Sequence, residues 1–118
     1  MLRREDGSVG VIDFGDLMWT WTIADPAILA AYLMLDSKQD CLAICRAVLR
    51  GYPELSWEER ECVFPLACLR LCTSVVISSH QMAQQPHNTH LTLYRDALIQ
   101  TMPKLEAALT RTTLSFRA

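Results

Sequence analysis

Eight consecutive residues hold the most distinctive chemistry in this chain: Val9-Gly10-Val11-Ile12-Asp13-Phe14-Gly15-Asp16. An acid stands at the end of an apolar, β-rich run and is followed by Phe-Gly. A strand end gives a carboxylate a fixed position, and Gly15 lets the backbone turn away with no Cβ in its path. A carboxylate held in that way suits a hard cation such as Mg²⁺, which takes one or two carboxylates together with phosphate oxygens and water. Asp13 is the candidate metal ligand and Asp16 a lesser one. The plainer alternative is that Asp13 is only a turn residue.

Other residue types invite chemistry less strongly. Cys41/Cys45 and Cys68/Cys72 are i,i+4 pairs, each placing two sulfurs on one helix face. Four thiolates could hold zinc, but structural zinc favours short knuckles on turns, and a buried free cysteine behaves as a small hydrophobe. Core packing is the expectation. His80, His87 and His90 are expected to be solvated. Trp19 and Trp21 could wall a ligand pocket, but such tryptophans more often anchor a core or an interface. Arg70, inside an apolar helix, is expected to pair with a carboxylate, Asp25 or Asp16 being possible partners.

The stretch 5–16 resembles the metal-binding hairpin of aminoglycoside phosphotransferase-type kinases, most closely the branch containing hydroxylysine kinase. Further points of resemblance follow in the family's order: Asp25 with Ala30-Ala31-Tyr32, then Gly51-Tyr52-Pro53, then residues 55–61 and 67–78. Together they span roughly residues 5–105. The resemblance implies the C-terminal part of the larger lobe of a protein-kinase-like fold, with Asp13, and less surely Asp16, holding Mg²⁺ with ATP. It also implies what this chain lacks. The family uses a nucleotide-clamping lysine in a separate lobe and a His-x-Asp loop with a nearby Asn. None of the three histidines here is followed two residues later by Asp. Catalysis by this chain alone is therefore not expected, and a small-molecule substrate is expected only for a complete enzyme.

The elements that must position these residues are legible from punctuation and period. Asp6-Gly7 signals a turn, with residues 8–14 as one strand and residues 1–4 as a stub of its partner. Beyond Gly15-Asp16 the pattern turns helical. Asp16, Thr22 or Asp25 can cap a first helix that has Pro26 in its first turn and ends near residue 35. Its expected apolar face is Ile28, Leu29, Tyr32, Leu33 and Leu35. Ser37 is expected to cap a second helix with Cys41, Leu42, Ile44, Cys45, Val48 and Leu49 inward, stopped by Gly51 and Pro53. Ser56 and Glu59 form a capping box opening a third helix over 57–82, disturbed near Pro65. Asn88 caps a fourth over about 91–109, interrupted by Pro103, with fraying expected from Thr110. The fold class is mainly α, a short N-terminal β-hairpin followed by about four helices in a single domain. Within it, residues 1–15 are the hairpin, 16–112 the helical part and 113–118 a tail.

Composition bounds the function classes. The 118 residues are one domain's worth, and 51% apolar against 20% charged residues excludes intrinsic disorder. A net charge of −2, with scattered Lys and Arg, argues against nucleic acid or an anionic membrane as partner. No segment is expected to cross a membrane, and residues 1–6 have no apolar run behind them as a signal peptide would. Five cysteines without such a signal suggest reduced thiols and a cytoplasmic location. A short-partnered strand and uncovered aromatics lead to an expected homodimer, or a companion chain, covering the hairpin and first helix. Two functional readings stand: part of a phosphotransferase-type kinase, or a non-catalytic helical interaction and oligomerisation module.

Overall fold

The computed structural model describes residues 2–11, 19–35 and 37–117, with 112–117 as backbone only. The chain is mainly α. Strands β1 (Leu2–Arg3) and β2 (Val9–Gly10) pair antiparallel, Leu2 opposite Gly10 and Arg3 opposite Val9. Helices α1 (Ala24–Met34), α2 (Cys41–Leu49), α3 (Trp57–Gln84) and α4 (Thr89–Arg117) follow.

The hairpin closes through Gly7. Gly7 N–H donates to Arg4 O at 3.0 Å, and Arg4 N–H donates to Ser8 O at 2.8 Å. Gly7 has φ 85°, a conformation that costs a residue without Cβ little. This is the three-residue loop that ends in a left-handed residue, not the two-residue turn often formed by Asp-Gly. Asp6 Oδ1 accepts from both the backbone N–H (2.9 Å) and the hydroxyl (2.6 Å) of Ser8.

Helix α3 is the axis of the molecule: α1, α2 and α4 all pack on it. Its start is the capping box expected, with Glu59 N–H donating to Ser56 Oγ and Ser56 N–H to Glu59 Oε2. Pro65 lies inside the helix without ending it. A proline in a helix interior removes one hydrogen bond and crowds the carbonyl four residues back. Here Pro65 is exposed, so water can reach the carbonyl it leaves free. The core stripe of α3 is Val63, Phe64, Ala67, Cys68 and Leu71.

Against that stripe α1 presents Ala27, Ala30, Ala31 and Met34, whereas Ile28, Tyr32 and Leu33 are exposed. Of the expected large-residue face, Leu29 and Leu35 are half-buried against the core, and Ile28, Tyr32 and Leu33 are turned outward. The helix is apolar all round, so hydrophobicity does not choose a side. Alanines let the backbones of α1 and α3 approach closely, with Ala30, Ala31 and Ala67 fully buried. The N-cap position of α1 is Ile23, which supplies no side-chain cap; Asp25 sits in the first turn, and neither it nor Thr22 is the capping residue.

Helix α2 buries Cys41, Ile44, Cys45 and Val48. Its cap is Asp40, whose carboxylate accepts from Ala43 N–H at 3.2 Å. Ser37 instead accepts from Gln39 N–H at 3.1 Å, a local turn that stops short of the helix. Helix α4 begins under Asn88, whose Oδ1 accepts from His90 and Leu91 N–H. It buries Leu98, Thr101, Leu105 and Ala108 and continues through Thr110 to Arg117. Lys104 Nζ, donating to Ser37 O at 2.7 Å, and Arg111, paired with Asp40, tie α4 to the α1–α2 connection.

By length and composition α3 is long and apolar enough to cross a membrane. Here one of its faces is spent in the helical core.

Candidate functional site

Asp13 and Asp16, the residues expected to hold a metal, lie outside the described residues, as do Phe14 and Gly15. Up to Val11 the approach to them is hairpin. From Trp19 the chain leads into α1. Among the described residues no group of three His, Cys, Asp or Glu side chains is placed to hold a metal ion.

The segment leaving that region carries Trp19 and Trp21, and neither is in the core: Trp19 is fully exposed and Trp21 is 78% exposed. Core packing is thus excluded for both. Trp21 stands at the edge of an open cleft of about 550 Å³. Ile23 lines it from the start of α1, and Glu61, Cys62, Pro65 and Leu66 line it from α3. A smaller hollow of about 260 Å³ continues along the α1–α3 seam, past Ile28, Leu69 and Thr73.

Arg70 borders this hollow. It is exposed, and among the described residues its partner is the Tyr32 hydroxyl, which accepts from its guanidinium at 3.3 Å. That bond, with the nearby positive charge, holds the Tyr32 phenol below its usual range. The expected carboxylate partner does not include Asp25. Arg70 projects from the solvent-facing side of α3, where water solvates it and no acid is required.

The thiols divide by exposure. Cys41, Cys45 and Cys68 are buried members of the core, and Cys62 and Cys72 are exposed on α3. Burial, together with the neighbouring Cys68 and Cys41, pushes the Cys45 thiol up to about 12. Burial and Cys72 push Cys68 up to about 11. A thiol so raised stays protonated near neutral pH and is neither a good nucleophile nor a ready metal ligand. Core packing is the role the structure gives these three. Cys72, the fourth of the pairs, faces out and does not join them. His80 faces solvent, its Nε2 3.1 Å from the Gln84 amide nitrogen.

One feature the sequence reading did not single out is the outward face of α3. Cys62, Pro65, Leu69 and Val76 are exposed there, beside Trp21. The signal was available: these residues recur at helical spacing on the side opposite the core stripe.

Three known proteins are similar to this chain. They are the hydroxylysine kinases of Bos taurus and Danio rerio, each 30% identical over 82 residues, and of Mus musculus, 28% identical over 82 residues. Each match covers 67% of this chain but only 22–23% of the kinase, so the chain spans about a fifth of the length of the curated relatives it matches. No family model matches, and no solved structure does. The similarity supports a kinase-like relationship.

Proposed function

We propose that this chain is the C-terminal helical part of an aminoglycoside phosphotransferase-like small-molecule kinase. On this reading it does not catalyse phosphoryl transfer by itself. What carries the reading is the similarity to three hydroxylysine kinases over 82 residues. In complete relatives, phosphoryl transfer from ATP to a hydroxyl rests on positioning by a lysine, a catalytic Asp, an Asn and metal-binding acids acting together. Of these, the resemblance assigns Asp13, with Asp16 second, as Mg²⁺ ligands here. A bound magnesium ion would neutralise phosphate charge as it shifts between oxygens. The 118 residues hold no His-x-Asp sequence to orient an acceptor hydroxyl.

Calorimetric titration with Mg·ATP, run beside Asp13→Asn, tests the reading. Heat that weakens at least tenfold in affinity in the variant supports a surviving metal half-site. No heat up to millimolar nucleotide removes nucleotide binding from the function of this chain.

A second reading is favoured by a separate observation, the exposed apolar surface formed by Trp21 and the outer face of α3. It makes the chain a non-catalytic assembly module. Large contiguous apolar patches on a folded domain mark interaction sites. The two readings part at Asp13, since an assembly module keeps its association in Asp13→Asn.

A further inference from the structure

The seam between α1 and α3 is apolar along its middle and oppositely charged at its two ends. The cleft of about 550 Å³ and the hollow of about 260 Å³ share Trp21, Ile23 and Leu66, so they form one trough. Ile28 and Leu69 carry its walls onward. Glu58 and Glu61 stand at the cleft end, and Arg70 with Thr73 at the hollow end. Glu61 and Arg70 are nine residues apart on α3, about 13 Å at 1.5 Å per residue.

Arg70 is the only cation among the described residues that line the trough. Its guanidinium donates to the Tyr32 hydroxyl at 3.3 Å, which ties it across the seam to α1. Among the described residues no carboxylate pairs with it. Its other N–H groups keep the planar fork that a group with two oxygens meets by parallel hydrogen bonds. Glu58 and Glu61 repel an anion at the opposite end, so an acidic headgroup has one favourable place. The reverse arrangement, a cation at the glutamates, is opposed by the start of α3, because Glu58 lies in the first turn, where a helix disfavours added positive charge. A small inorganic anion makes no use of the apolar walls. An aliphatic chain does, since covering them removes apolar surface from water.

We propose that the trough binds a medium-chain fatty carboxylate. The carboxylate sits on Arg70, and the chain runs between Ile28 and Leu69 toward Trp21. The site uses neither Asp13 nor nucleotide, so it stands or falls separately from the kinase reading.

Calorimetric titration of the whole chain with sodium decanoate near neutral pH, at concentrations where decanoate is monomeric, tests the proposal. Saturable binding below roughly 1 mM is expected, with affinity at least ~10-fold weaker in Arg70→Gln and in Leu69→Glu. Both residues are exposed, so each variant is expected to keep its circular dichroism melt. Decyltrimethylammonium, with the same tail and the opposite charge, is expected to bind the unsubstituted chain at least ~10-fold more weakly, a comparison that needs no variant. Trp21 is exposed in the free chain, so its emission is expected to shift to the blue on decanoate binding, and Trp21→Phe to lose that shift. No saturable binding overturns the site, as does equal binding of the two amphiphiles or an affinity unchanged in either variant. Binding to anionic vesicles without binding of monomeric decanoate overturns it in favour of a membrane surface. Binding with no change in Trp21 emission overturns the path of the chain.

Discussion

Arg60 shows how one side chain can fix a connection. Its guanidinium donates to the carbonyls of Leu49 (3.3 Å), Tyr52 (2.8 Å) and Leu55 (3.1 Å), the end of α2 and the turn that leads into α3. Lysine carries three donors on one point and cannot span three carbonyls as the planar fork does. Arg60→Lys and Arg60→Ala are therefore both expected to destabilise the fold, the alanine by about 2–4 kcal/mol in a urea titration. Nothing in the sequence marks Arg60, because its acceptors are backbone atoms brought round by the chain. The buried thiols give a second residue-scale expectation. Cys45 and Cys68 titrate higher when folded, to about 12 and about 11, than an unfolded thiol would. The unfolded chain loses these protons first, so their stabilising effect is complete below about pH 8.5 and is lost as pH rises toward the folded values. Stability measured at pH 8 and pH 10.5 is expected to fall by on the order of 1 kcal/mol per pH unit, with a shallower slope for Cys45→Ala.

At the scale of elements, the caps of α3 and α4 stand where the sequence puts them, and those of α1 and α2 do not. The Ser56–Glu59 capping box sits where the sequence put it, since both of its bonds are local and need no tertiary partner. Ser56→Ala is expected to cost about 1 kcal/mol, seen as a lowered melting temperature with the dimension of the transition unchanged. The start of α2 was misplaced by three residues because Ser37 and Asp40 are both competent caps, and the α4 contacts to Ser37 O and Asp40 favour the second arrangement. Pro65 was read as a disturbance and is carried within a continuous helix, because packing on three neighbours outweighs one missing backbone bond.

Across the whole molecule, the hairpin and the helices are unequal partners. Among the described residues, the buried core residues all belong to the helices or the α2–α3 turn, while Leu2, Val9 and Val11 remain more than half exposed. Deleting residues 1–10 is accordingly expected to leave the thermal transition of the helices within a few degrees of its original midpoint, measured by circular dichroism. The candidate site was legible only as far as sequence motifs reach: Asp13 and Asp16 stand out by type and spacing, but lie outside the described residues. The mainly α class, the hairpin turn at Gly7, the existence of four helices and the inward stripe of α2 could all be read from the chain. Caps, glycine and periodic apolar positions act within a few residues, so their physics is local. Three features belonged to the assembled fold. The alanine face of α1 turns inward, Trp19 and Trp21 face outward, and Arg70 reaches Tyr32. Each depends on how closely two backbones approach or on which side chain arrives from a distant helix. Local pattern carries no record of either, and close packing in three dimensions settles both.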